Sequence, residues 1–105
     1  MRYHFPVKGE NGEESPHFIE LPDKWLTSHA TRHFQATEKS IEAGLVGVAH
    51  NFAVSIALLE DWNLPGLNGN PDKWDFQAID LVIAGWVNGL VLPAYYDNFQ
   101  IKKKS

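Results

Sequence analysis

Apolar positions fall into two short runs at the start of the chain and three longer segments of helical period after them. Arg2-Tyr-His-Phe-Pro-Val7 alternates weakly and is rich in aromatic side chains, and His17-Phe-Ile-Glu-Leu21 forms a second short run. Between them, Lys8 to Pro16 is made largely of turn formers and acids. This pattern predicts a β-hairpin over about residues 2–21 with a long, solvated connection. Pro6 confines the first strand to an edge or an early end, because proline has no amide to give to a ladder. A lone hairpin is marginal in water, so its apolar face must dock on the helices.

After Leu21-Pro-Asp23 the period changes. Leu26, Ala30, Phe34, Thr37 and Ile41 recur at four, four, three and four residues, with Arg32, Gln35, Glu38 and Lys39 largely opposite. The spacing predicts an amphipathic helix over about 23–40, capped by Asp23 or Ser28. From Ala43 to Leu59 no Asp, Glu, Lys or Arg occurs, but Gly44, Gly47, His50, Asn51 and Ser55 interrupt the run too often for a membrane span. A second helix over about 42–61 fits better. Its stripe is Leu45, Val48, Phe52, Ile56 and Leu59; Val46, Val54 and Leu58 lie off the stripe, so the helix must be buried on most sides. Ile79, Val82, Ile83, Trp86, Val87 and Leu90 predict a third helix over about 75–92, with Asp75 as N-cap and Pro93 ending or kinking it. Ala94 to Phe99 would form a last turn. The expected fold is a small, mainly α, α+β domain: an N-terminal hairpin and three helices within residues 1–101, then a basic tail at 102–105.

The two most apolar helices are separated by Glu60-Asp-Trp-Asn-Leu-Pro-Gly-Leu-Asn-Gly-Asn-Pro-Asp-Lys-Trp-Asp-Phe76. Loops face water, so bulky aromatics inside one point to a loop that is pinned down. Trp62 is expected to close one helix, Trp74 and Phe76 to open the next, and Pro65 and Pro71 to stiffen the crossing.

Composition adds three constraints. Two helices with wide apolar surfaces exceed what 105 residues easily cover, which predicts homo-oligomerisation. The formal charge is −4, and without Lys102, Lys103 and Lys104 six basic groups face thirteen acidic ones. Such a body lacks the basic face that nucleic-acid binding requires. There is no cysteine, hence no disulfide and no thiolate site, which fits a reducing cytoplasm. Met-Arg-Tyr-His-Phe-Pro lacks the apolar core of a signal peptide.

Candidate chemistry is sparse. His29 and His33 have the i, i+4 spacing of a zinc pair, but no glutamate of a metalloprotease motif lies between them and Arg32 would repel a cation. Glu60 and Asp61 would need a second carboxylate in a cleft, and the spacing selects none of Asp72, Asp75 and Asp80. Asn68, Asn70 and Asp72 alternate as in a calcium loop, without its acidic ligands or closing glutamate. Gly66 and Gly69 make no phosphate cradle, and no serine has a nucleophile-elbow context. Gly44 and Gly47 read as places where another backbone approaches the second helix. The expectation is a protein with no catalytic residues, no metal and no cofactor.

Phe18-Ile-Glu-Leu-Pro-Asp-Lys-Trp25, a polar helix, an apolar helix ending in the Glu60–Phe76 loop, and Ile79-Asp-Leu-Val-Ile-Ala-Gly-Trp-Val-Asn-Gly-Leu90 together resemble small tail proteins of long-tailed bacteriophages. The similarity covers about residues 18 to 101 and is closest to the tail assembly chaperones of siphophages. It implies a non-enzymatic protein of the host bacterial cytoplasm that keeps the tape-measure protein soluble while the tail tube polymerises. It also implies that Lys102-Lys-Lys-Ser105 is encoded near a slippery codon run, where some ribosomes change frame; lysine codons without an A-rich heptamer would remove that implication. The family has no motif for partner binding, so on physical grounds Trp86, Tyr95, Tyr96 and Phe99 are the expected partner-binding side chains. Two other classes fit the same sequence. A structural virion protein, of the tail or head-tail connector, would be found in purified particles. The other is a small phage-encoded binding or inhibitor module, against which a neighbouring tape-measure gene would argue.

Overall fold

A computed structural model describes residues 1–5 and 15–98. The chain forms a small α+β fold in which a three-stranded antiparallel sheet is joined to three helices. Strands β1 (Arg2–His4) and β2 (Phe18–Glu20) make the expected pair, in the register Arg2↔Glu20, Tyr3↔Ile19, His4↔Phe18. The third strand, β3 (Asp61–Asn63), comes from the start of the Glu60–Phe76 loop and pairs with the other edge of β2, Ile19 facing Trp62. The loop is therefore partly sheet. Its polar–apolar–polar triplet is too short to show a period, so pattern alone does not mark it as a strand. Pro6, most of the hairpin connection, Phe99 and the lysine tail lie outside the described residues.

Helix α1 spans Thr27–Glu42, later than the predicted 23–40. Neither Asp23 nor Ser28 caps it. Leu26 holds the cap position, and its amide donates to Nδ1 of His29 at 2.9 Å. At the far end Gly44 adopts φ 75°. Its amide donates to the Ile41 carbonyl and that of Leu45 to the Ser40 carbonyl, each at 3.0 Å, the two bonds of a Schellman stop. Helix α2 spans Gly47–Leu58, shorter than 42–61 because this stop ends α1 and Gly47, at φ 60°, turns the chain back. A side chain at Gly44 or Gly47 would meet nothing within 4 Å. Their requirement is backbone conformation, and the expected close approach of another backbone is not there.

Helix α3 spans Leu81–Asp97 rather than 75–92. Asp75 caps a 3-10 turn at Phe76–Ala78, accepting from the Gln77 amide, and Asp80 caps α3, accepting from Val82 at 2.8 Å. Pro93 lies inside the helix. It removes the amide that would bond the Gly89 carbonyl, yet the helix continues, and the added turn buries Tyr95 to 4% exposure.

Helix α2 packs against both α1 and α3. One core joins Ile19 of β2 and the strand-flanking Phe5, Leu21 and Leu64 to Phe52, Ile56 and Leu58 of α2 and Val87 and Val91 of α3. The orientation of α1 departs from its amphipathic pattern. The expected inward residues Leu26, Phe34 and Ile41 are 54%, 62% and 65% exposed, whereas His29 and Ser40 are buried. Polar bonds to other elements decide the orientation. His29 reaches Glu60, His33 reaches Tyr96, and Ser40 reaches His50.

Candidate functional site

The polar seam of α1 includes both histidines of the i, i+4 pair and gives them different partners. Because the Leu26 amide donates to Nδ1 of His29, the ring proton sits on Nε2, which donates to Oε1 of Glu60 at 3.1 Å. His33 instead stacks on Tyr95, with ring centroids 4.7 Å apart and planes 14° off parallel, and its Nε2 lies 3.1 Å from the Tyr96 hydroxyl. Burial, and after it the charge of His50, holds the His33 imidazole below the usual 6.5. Burial, and after it Tyr96, raises the Tyr95 phenol above the usual 10.0. Among the described residues no group of three or more His, Cys, Asp or Glu side chains gathers as a metal set.

Glu60 and Asp72 of the loop pair with His29 and Lys39, and other carboxylates here accept backbone amides. Asp61 accepts from Trp62, Asp75 from Gln77 and Asp80 from Val82, while the Asn70 amide oxygen accepts from Asp72. Asn70, Asp75 and Asp80 each cap the helical segment that follows. Ser40 Oγ lies 2.6 Å from Nδ1 of His50, a contact that spacing alone does not disclose. Its hydroxyl is 2% exposed, closed off at the α1–α2 corner, so the pair works as a clasp between helices. Ser55 forms a second clasp, bonding the Asn51 carbonyl and the Asn88 amide oxygen at 2.9 Å each.

The aromatic residues of the loop make a ladder into the core. Trp62 meets Trp74 edge-on at 5.8 Å, Trp74 meets Phe76 at 6.0 Å, and Phe76 meets the fully buried Phe52 at 6.1 Å. The Trp74 indole N–H donates to the Asn68 carbonyl at 2.8 Å, which fixes the glycine-rich middle of the loop. Of the side chains expected to meet a partner, Tyr96 is exposed. Trp86 is half-buried, with Phe5 set edge-on to it at 5.1 Å, and Tyr95 is buried against Trp25 and His33. Phe99 lies outside the described residues.

Two surface features are not apparent from sequence. One is the outward line Leu26–Phe34–Ile41 on α1, whose apolar period is legible although its direction is not. Val46, Leu81 and Val82 are also well exposed, at 80%, 69% and 68%. The other is a groove of about 350 Å³ between α1, α2 and the loop, lined by residues that include Arg32, Ala36, Lys39, Ala57, Trp62 and Asp72. Its alanines carry no signal, because small residues in a helix read simply as helix formers.

Among the described residues no helix is long and apolar enough to cross a membrane. No protein-family model, curated protein or solved structure matches the chain.

Proposed function

We propose that this protein is a non-enzymatic phage tail assembly chaperone that binds the tape-measure protein in the host cytoplasm and self-associates while doing so. The observation that carries the reading is three exposed apolar side chains, Leu26 at the N-cap of α1 and Phe34 and Ile41 along its solvent side. A protein that shields a long apolar helix needs apolar surface of its own, presented at helical spacing. The pattern from Phe18 through the Glu60–Phe76 loop supplies the family resemblance, and Tyr96 extends the available aromatic surface.

Co-expression tests this directly. A siphophage tape-measure protein co-expressed with this chain should be soluble and co-purify with it, and should pellet when made alone. Phe34→Asp should leave the fold intact and return the tape-measure protein to the pellet. Equal solubility with and without this chain would overturn the proposal. Recovery of the chain from purified particles would replace it with a structural virion role.

A further inference from the structure

Where α1 crosses α2, Ala36 faces Ala53 and Ala57 in the lining of the groove, and their short side chains leave the crossing unfilled. Trp62 and Phe76 close the apolar wall from the loop side. The volume of about 350 Å³ falls within the range of small-molecule sites. The walls are apolar, but the rim is cationic. Arg32 and Lys39 both line it, seven residues apart on α1 and so about 10 Å along the helix axis.

That rim is unusual in this chain. The described residues contain only five cationic side chains, Arg2, Lys24, Arg32, Lys39 and Lys73, against an acidic body. Two of the five line the groove, and Lys73 belongs to the turn that contributes Pro71 and Asp72 to its wall. The two rim cations differ in their engagement. Lys39 pairs with Asp72 at 3.6 Å in a solvent-exposed bridge between the two walls. Among the described residues Arg32 has no carboxylate within ion-pair distance. A groove whose lysine is already paired at one end and whose arginine has no carboxylate partner at the other suits a chain end with an anionic head.

We propose that this groove binds a small amphipathic carboxylate, with its head on the Arg32 guanidinium and its aliphatic tail over Ala36, Ala53 and Ala57 toward the Lys39–Asp72 bridge. A tail of about eight carbons spans the available length. A guanidinium suits the head because it offers a planar fork of donors to both carboxylate oxygens. The site does not depend on the chaperone reading.

The test is a titration of the folded chain with octanoate, octanol and octylammonium, followed by amide and indole NMR shifts. Octanoate should bind saturably, with the largest shifts at Ala36, Ala57 and the Trp62 indole. Octylammonium should bind far more weakly. Arg32→Gln should weaken octanoate by roughly tenfold, to the level of octanol. Ala57→Leu, which fills the floor, should abolish binding of both. If Ala57→Leu melts early, Arg32→Gln at its half-exposed position still carries the test. Equal affinity for octylammonium, unchanged octanoate affinity in Arg32→Gln, or shifts confined to Leu26, Phe34 and Ile41 would each overturn the proposal.

Discussion

Nε2 of His29 donates to the Glu60 carboxylate across 3.1 Å, tying the first turn of α1 to the residue that leads from α2 into β3. The imidazole is 1% exposed, and its other nitrogen is occupied by the Leu26 amide. One side chain thus caps a helix and joins two distant segments. His29→Ala removes both bonds and leaves a cavity, and should cost about 3 kcal/mol in urea denaturation. Glu60→Gln keeps an acceptor at the same place and should cost under about 1 kcal/mol. Equal losses in the two variants would show that charge, and not the hydrogen bond, holds the contact.

The outward line of α1 predicts a separation of stability from association. Phe34→Asp and Ile41→Lys alter side chains that are mostly in water, so melting should shift by no more than about 0.5 kcal/mol equivalent. Light scattering should show the parent chain above monomer mass at tens of micromolar and the double variant as monomer. A monomeric parent would count against self-association.

The His33 cluster predicts acid sensitivity. Its folded-state value lies below the ordinary 6.5, so the folded protein disfavours the protonated imidazole relative to the unfolded chain. The contribution is fully present above about 6.5 and is lost as pH falls through the lower, folded value. Denaturation midpoints measured from pH 8 down to 5 should fall, and His33→Gln should flatten the part that this residue causes. Tyr95 and Tyr96 face the ring, and His50 adds its charge to the burial that lowers His33.

Gly47 offers a test of backbone geometry. In an ordinary helical position alanine would be favoured by about 1 kcal/mol. At φ 60° with open space around it, Gly47→Ala should instead destabilise by about 1 kcal/mol. Thermal melts of this single variant give the sign.

The Trp74 indole is half-buried, sits between Trp62 and Phe76, and bonds the Asn68 carbonyl. Trp74→Ala should cost about 2 kcal/mol by chemical denaturation. Trp74→Phe keeps the stack and should cost about 1 kcal/mol, the share of the lost bond.

The hairpin, the three helices and the division at Glu60–Phe76 are legible in the sequence because each rests on a local period or on turn chemistry. What stays hidden is non-local. The amphipathic stripe of α1 is visible, but its direction is set by Glu60, His50 and Tyr96, partners of His29, Ser40 and His33 that no spacing within α1 identifies. The overrun of α3 past Pro93 comes from the burial of Tyr95 against Trp25, which outweighs one missing amide. The loop aromatics stand out by composition, whereas the groove beside them depends on three alanines contributed by two helices.

The pairing of β3 with β2 also bears on the order in which the molecule assembles. Ile19 and Trp62 are partners across more than forty residues, with two helices between them. Closing so long a loop is entropically costly until something already holds its ends close. The helical pair α1–α2, joined by a tight turn, forms from neighbouring contacts and brings Glu60 toward the strand before the sheet can zip. Ile19 is fully buried in the central strand, and on this order it should be consolidated after the rate-limiting step. Truncating it should speed unfolding far more than it slows folding.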